Sequence, residues 1–368
     1  MSNELVRMRE SAAAWQELRY ERAVGADGYE YDRNAARRAQ VLWALQYDRR
    51  PGDLELVRWL AGQEAECRRE APFQGLTEET TLAGLLLAEY RVVEDVWQQW
   101  EIKRANFDTW CGYDVQAVCA AGVEATLAHV RAGEHPEREA LLERLLGEDG
   151  KPCVSEQEVT DWFPFIRRRF PVDPAEEDPI TLVERARMSG ETERARELLD
   201  AWATGQERDA DTLRELRYHL AELGDYAEAA RVRRESLSFA EGARDRAFGW
   251  QDLAGLERRA GQHPAAWEAL TECRRALTDV SEWWEYGLGR TYVEELFLLA
   301  GSADATLAPA VFAEADRQAA EIPPLALVTL RAAVAAAAHV GDAAREEHYR
   351  TLAAQEQQRI DDGFPDED

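Results

Sequence analysis

Apolar residues recur along most of the chain at every third or fourth position. Leu82, Leu85 and Leu86 run on to Tyr90, and Val96 and Trp97 run on to Trp100, the spacing that gathers one apolar stripe on a helix. The β-branched, strictly alternating runs that mark half-buried strands are nearly absent. The expected fold class is therefore all-α. In the first half the pattern predicts helices over Glu4 to Val24, Asp32 to Asp48, Asp53 to Glu70, Glu78 to Arg91, Glu94 to Arg104, Asp114 to Arg131 and Pro136 to Leu146. Pro51-Gly52 breaks the chain before Asp53, Thr77 stands where an N-cap is needed, and Pro136 occupies a first-turn position where its missing N–H costs nothing.

Residues 147–180 interrupt this pattern. GEDGKP opens the stretch and PVDPAEEDP closes it, with Ser155 and Glu158 spaced as a capping box for a short helix between them. Trp162-Phe163-Pro164-Phe165 is too apolar for a free linker and predicts packing against one or both halves. The expected organisation is an N-terminal helical domain over 1–150, a structured junction over 151–180, and a repeat domain over 181–368 that ends in an acidic tail.

The repeat is marked by glycines between helical patterns at Gly190, Gly224, Gly261, Gly301 and Gly341, which are 34, 37, 40 and 40 residues apart. In the clearest unit Leu213, Leu216 and Leu220 precede Gly224-Asp225-Tyr226, and Ala229 follows. The next unit carries Trp250, Leu253, Gly261 and Ala266. These two units resemble tetratricopeptide repeats, in which a small residue lets the two helices of a pair approach closely. The chain departs from that pattern in three ways: Arg217 stands where the family has glycine or alanine, the family's terminal proline is missing, and the fourth unit is longer. The resemblance covers about half the chain and implies helix pairs stacked into a curved α-solenoid, continued by degenerate pairs in the N-terminal half.

Charge narrows the choice of partner. A formal net charge of −28 disfavours nonspecific contact with nucleic-acid phosphates, because counterion release needs clustered cations; spread along the chain, the acidity reads mainly as a solubility device on a large helical surface, with attraction of a basic partner the lesser reading. Only two of the 44 basic residues are lysines, Lys103 and Lys151, which together with abundant alanine is the codon signature of a GC-rich bacterial genome. Five cysteines at irregular spacing, in a sequence whose opening residues carry no apolar leader segment, predict reduced thiols in a cytoplasm. The most apolar run, Leu325 to Val340, is mostly alanine and contains Arg331 and His339, so no membrane span is expected.

Candidate chemistry is sparse. Gly147 to Pro152 lacks the glycine spacing, the hydroxyl residue and the preceding strand of a phosphate loop. The six histidines are scattered, and Cys111, Cys119, His129 and His135 do not have zinc-finger spacing. No catalytic residue, metal or cofactor is expected. The most unusual string is Asn106-Phe107-Asp108-Thr109-Trp110-Cys111-Gly112-Tyr113-Asp114, an aromatic and polar loop between predicted helices. It is either an interhelical turn anchored by Phe107 and Trp110, with Asp108 or Asp114 capping the next helix, or a secondary site of Asn106, Asp108, Trp110 and Asp114, to which Glu101 would add a third carboxylate. Twelve tryptophans suit an aromatic groove, and of Trp283 and Trp284, followed by Tyr286, one is expected to be exposed.

The repeat resemblance implies a non-enzymatic scaffold that grips a protein or peptide on its concave face, which the first helix of each pair lines. Carried over by position, that face is Arg214 and Tyr218 in the second unit, Gln251 and Arg258 in the third, and Tyr292 and Glu295 in the fourth. The alternative is a ligand-responsive regulator that sequesters a small molecule in an aromatic cavity.

Overall fold

The computed structural model describes residues 3–25, 28–71, 75–285, 287–322 and 324–363. Its helix ends follow local chemistry. Thr77 accepts a hydrogen bond from the Thr80 N–H at 3.3 Å. Ser155 and Glu158 form the expected capping box, with the Glu158 N–H on Ser155 Oγ at 3.2 Å and the Ser155 N–H on Glu158 Oε2 at 2.7 Å. The fold is all-α apart from one small hairpin, and the chain divides into two compact units, Met1–Glu191 and Thr192–Asp368.

The first unit contains α1 (Asn3–Glu10), α2 (Ala35–Tyr47), α3 (Leu54–Glu70), α4 (Glu78–Ala88), α5 (Val96–Lys103), α6 (Phe107–Gly112), α7 (Val115–Val118), α8 (Val123–Ala132), α9 (Arg138–Leu145), α10 (Glu156–Arg167) and α11 (Pro179–Met188). Two of the expected helices are broken. The Glu4 to Val24 pattern splits into α1, a 3-10 turn over Ala12–Leu18, and a strand β1 (Arg22–Val24) that pairs antiparallel with β2 (Glu30–Asp32). A three-residue strand is too short to show a period of two. The Asp114 to Arg131 pattern breaks at Gly122, whose φ of 109° no continuing helix can adopt.

Side chains of this unit gather around two apolar cores. One holds Leu42, Leu60, Leu86, Ile102 and Phe170, the other holds Trp100, Leu127, Leu141 and Val159, and Phe163 packs against both. This corrects the expected boundaries. The 151–180 stretch is part of the first unit because α10 buries Trp162 and Ile166 in its core. Residues 171–188 are held to α2: Gln46 Nε2 donates to Pro171 O and Glu177 Oε2, both at 2.9 Å, and Arg185 bonds Glu177 at 3.0 Å and Gln46 Oε1 at 2.9 Å.

The hairpin is fixed by Arg38, which is fully buried. Its guanidinium reaches Asp32 at 2.6 Å, Glu64 at 2.8 Å and the Leu18 carbonyl at 3.1 Å. Glu64 also accepts from Thr80 Oγ1 at 2.9 Å, and Asp32 from the N–H groups of Glu21 and Asn34. Burial opposes the charge on Arg38, but Glu64 and Asp32 more than offset it and hold the guanidinium above its ordinary pKa.

The second unit contains α12 (Thr192–Thr204), α13 (Ala210–Glu222), α14 (Tyr226–Ser236), α15 (Ala243–Arg259), α16 (His263–Leu277), α17 (Gly287–Ser302), α18 (Ala308–Ala319), α19 (Leu327–Val340) and α20 (Ala343–Gly363). Within it α13 packs on α14, α14 on α15, α15 on α16 and α17, α17 on α18 and α19, and α19 on α20. Four of the five marked glycines turn the chain in one way. Gly190, Gly224, Gly261 and Gly341 have φ between 74° and 78°. After each of them the next N–H bonds the carbonyl five residues back: Glu191 to Ala186, Asp225 to Leu220, Gln262 to Glu257 and Asp342 to Ala337. Gly301 is different. It lies inside α17, where a Cβ would stand 3.7 Å from Ala336 Cα of α19, and the chain turns later, where Asp304 accepts from the N–H groups of Thr306 and Leu307. The acidic tail after Gly363, and Tyr286, lie outside the described residues.

Two predictions follow from this geometry. Gly224→Ala should destabilise the second unit by about 1 kcal/mol, because the left-handed backbone penalises any Cβ, while Gly301→Ala should leave the thermal midpoint unchanged or raise it, as expected of a helix interior. Equal losses in thermal denaturation would make Gly301 a turn glycine. Arg38→Met should cost about 3–5 kcal/mol in urea denaturation, since it strands two buried carboxylates; a loss under about 1 kcal/mol would make the ion triad incidental.

Candidate functional site

The face predicted to bind begins on α13, where Asp209 caps the helix by accepting from the Thr212 N–H at 2.8 Å. Arg214, Arg217 and Tyr218, at i, i+3 and i+4, therefore share one side of it. On α15 Phe248, Gln251 and Asp252 have the same spacing. Tyr218 and Phe248 are 45% and 59% exposed. Arg214 is exposed and pairs with Asp211 at 2.7 Å. Gln251 is half-buried, and its Oε1 has no hydrogen-bond partner.

Beneath these side chains lies a polar cluster. Arg217 of α13 reaches Asp252 of α15 at 3.4 Å, and Arg233 of α14 reaches the same carboxylate at 3.0 Å. Arg233 also donates to Gly249 O at 3.3 Å and to Ser236 Oγ at 3.2 Å, and lies 5.5 Å from the Phe248 ring centre. Gly249 permits this, because a Cβ there would meet Leu237 Cδ2 at 2.5 Å and Arg233 NH2 at 3.4 Å. Burial holds the Arg233 guanidinium below its ordinary pKa, Asp252 opposes the shift, and Arg217 adds to it. The Arg217 Nε–H is buried without a hydrogen-bond partner.

Further along, Arg258 and Glu295 do not present themselves to a partner. They bond each other at 2.5 and 3.2 Å and join α15 to α17. Burial raises the Glu295 carboxyl pKa and Arg258 opposes it. Tyr292 is a correction to the expected surface. It is 1% exposed, on the inward stripe of α17 with Leu296 and Leu299, and the turn over Trp283–Glu285 lays Trp283 edge-on against it at 6.1 Å. Trp283 is buried and Trp284 exposed, as expected of adjacent residues. Of the six residues expected on the face, Arg214 and Tyr218 are exposed on α13, Gln251 is half-buried on α15, Arg258 and Glu295 tie helices together, and Tyr292 is core.

The Asn106 to Asp114 string is mostly the short helix α6, not a loop. Asn106 caps it by accepting from the Thr109 N–H at 2.8 Å, and its amide donates to Arg68 O at 3.1 Å; Asp114 stands at the N-cap position of the next helix, α7, without a side-chain capping bond. Lys103, buried, donates to the carbonyls of Trp110 and Tyr113 that end this helix, and burial lowers its pKa. Asp114 accepts from Trp162 Nε1 at 2.8 Å, Asp108 lies beside Gly75, and Trp110 is partly exposed with its edge to Trp100. Asp108 and Asp114 thus serve different contacts. Among the described residues no cluster of three His, Cys, Asp or Glu side chains could hold a metal ion.

Sequence reasoning missed a cavity of about 460 Å³ in the second unit, lined by Ile322, Leu325, Leu330, Tyr349 and Leu352 among others. Its charged rim is paired internally, Arg345 with Asp316 at 2.9 Å and Arg359 with Glu356 at 2.6 Å. The available signal was the apolar connection from Ile322 to Leu325, which reads as a plain interhelix segment. Sequence reasoning also missed Arg233 and Asp252, although Arg217 had stood out as a departure from the repeat pattern. No helix among the described residues is long and apolar enough to cross a membrane. No protein-family model matches the chain, and no curated protein sequence matches it.

The two tyrosines should separate in denaturation experiments. Tyr292→Ala should cost about 3–5 kcal/mol, as for other large aromatic truncations in a core, and Tyr218→Ala should change stability by no more than about 0.5 kcal/mol. Similar losses for both would place Tyr218 in the core.

Proposed function

We propose that the second unit is a binding scaffold, a tetratricopeptide-like stack of helix pairs that takes a protein or peptide segment along its first helices and carries out no chemistry itself. The observation that supports this reading is the recurrence within that unit of one turn geometry, at Gly224, Gly261 and Gly341, because a recurring turn between packed helices is how such stacks are built. The exposed side chains Arg214, Tyr218 and Phe248 on α13 and α15 supply rigid aromatic and guanidinium groups, the types that dominate interface energies. A cytoplasmic setting, with an acidic surface that draws in basic segments, completes the reading.

A second reading, a regulator that responds to a small molecule, draws on the 460 Å³ cavity, which has the volume of a ligand site. Its lining includes one aromatic ring, Tyr349, and no tryptophan, so it is not the aromatic cavity that reading calls for.

Site-directed photocrosslinking in the source cells distinguishes these positions. A benzoylphenylalanine at 218 or 248 should capture one and the same partner, and the same probe at Glu272, half-buried on α16, should capture none. The double substitution Tyr218→Ala and Phe248→Ala should weaken that partner by roughly 5- to 30-fold per lost anchor. Capture through position 272 alone would move the binding face to the second helices, and capture by none of the three positions would remove the scaffold reading.

A further inference from the structure

The 460 Å³ cavity lies between α18 and α20, beside the start of α19 and the connection that leads into it. α20 turns one stripe towards it, Arg345, Tyr349, Leu352, Glu356 and Arg359, at the four- and three-residue steps that align side chains on a helix. Opposite stand Ala319 and Ala320 at the end of α18, too small to fill the space, while Ile322, Leu330 and Tyr349 are buried and Leu325 and Leu352 are left half-buried. A second gap of the same kind, of about 340 Å³, lies between α12 and α14 over Leu216 and Leu220 of α13. Its lining is charged: Arg196 pairs with Asp200 at 3.0 Å and with Asp225, and Arg208 pairs with Glu235 at 2.6 Å. Helix packing thus opens such gaps in this unit without deciding what lines them, and the apolar lining between α18 and α20 is specific to that place.

We propose that the cavity between α18 and α20 binds an uncharged, mainly apolar small molecule. Its volume is that of a ligand site, and such a molecule covers the half-buried leucines that the helices leave wet. The ligand's charge follows from the lining, where Asp316 accepts from the Tyr349 hydroxyl at 2.7 Å and pairs with Arg345 at 2.9 Å, and Glu356 pairs with Arg359 at 2.6 Å. A charged group entering the cavity must break one of these pairs or lose its water without gaining a partner, and both oppose binding. His348 and Gln355, on the exposed side, supply a donor and an acceptor for one neutral polar group such as a hydroxyl or an amide. The bonds from Asp316 to Arg345 and Tyr349 also tie α18 to α20 beside the cavity, so its walls are held before a ligand arrives. The inference goes beyond the scaffold reading, since no residue of the lining belongs to α13 or α15.

The probe is N-phenyl-1-naphthylamine, an uncharged dye whose emission rises in an apolar site, set against 1-anilinonaphthalene-8-sulfonate, the same molecule carrying one sulfonate. Titrated into the full chain, the neutral dye should bind saturably, one molecule per chain, and the sulfonate at least about tenfold more weakly. Leu352→Glu, which sets a carboxylate among the apolar side chains, should weaken the neutral dye at least about tenfold. Ala319→Phe, which fills the space from α18, should do the same with the thermal midpoint kept, so that loss of binding is separated from loss of folding. Ala203→Phe, in the charged gap between α12 and α14, should leave the affinity unchanged. Equal affinities for dye and sulfonate, or a dye affinity that neither Leu352→Glu nor Ala319→Phe changes, overturns the proposal. Loss of binding in Ala203→Phe would move the site to the other gap and overturns it as well. A chain that dimerises in sedimentation and is returned to a monomer by Leu352→Glu would assign the groove to a second copy and overturn the small molecule.

Discussion

Two helices joined by a tight turn can bury one face of each against the other, and the remaining apolar faces must find a third helix or stay wet. That constraint organises the second unit. α15 shows it most directly, because it packs on α14, α16 and α17 and leaves little of its surface uncommitted. Its glycines sit where partners press closest: Gly249 faces Leu237 of α14, and Gly255 admits the Glu295 carboxylate of α17 at 3.5 Å from a would-be Cβ. The Gly224 turn recurs at Gly261 and Gly341, and the two helices that each of these turns joins pack on each other.

Charges inside the packed helices of the two units are handled in three ways. Arg38 is neutralised by two carboxylates and tied to a carbonyl, so its low-dielectric surroundings hold it rigid. Lys103 has no carboxylate among its hydrogen-bond partners but ends α6 through two carbonyls, where the helix dipole is negative. Arg217 and Arg233 share one carboxylate and retain an unsatisfied donor. The first two arrangements are complete as they stand. The third leaves the Arg217 Nε–H and Asp252 Oδ2 without a hydrogen-bond partner among the described residues, a cost that Trp100 Nε1 and Thr126 Oγ1 also carry in the core of the first unit.

Helical class, most helix positions and the glycine turns were legible in the sequence because each depends on short-range signals: a three-to-four-residue apolar period, a cap such as Ser155 with Glu158, and a glycine where φ must be positive. Side-chain placement on the first helices was less legible. Arg214 and Tyr218 lie on α13, close to the best-matched turn, and their surface position followed from its register. Tyr292 lies on α17, after a long connection and a 3-10 turn, and there a residue's face depends on how Trp283 packs, which no local pattern encodes. Arg258 and Glu295 fell on the expected helices, yet they are 37 residues apart in sequence, and only the stacking of α15 on α17 makes them partners. The two short strands escaped notice for the same reason: Asp32 is recruited by Arg38 through tertiary packing, not by any period in the residues around it.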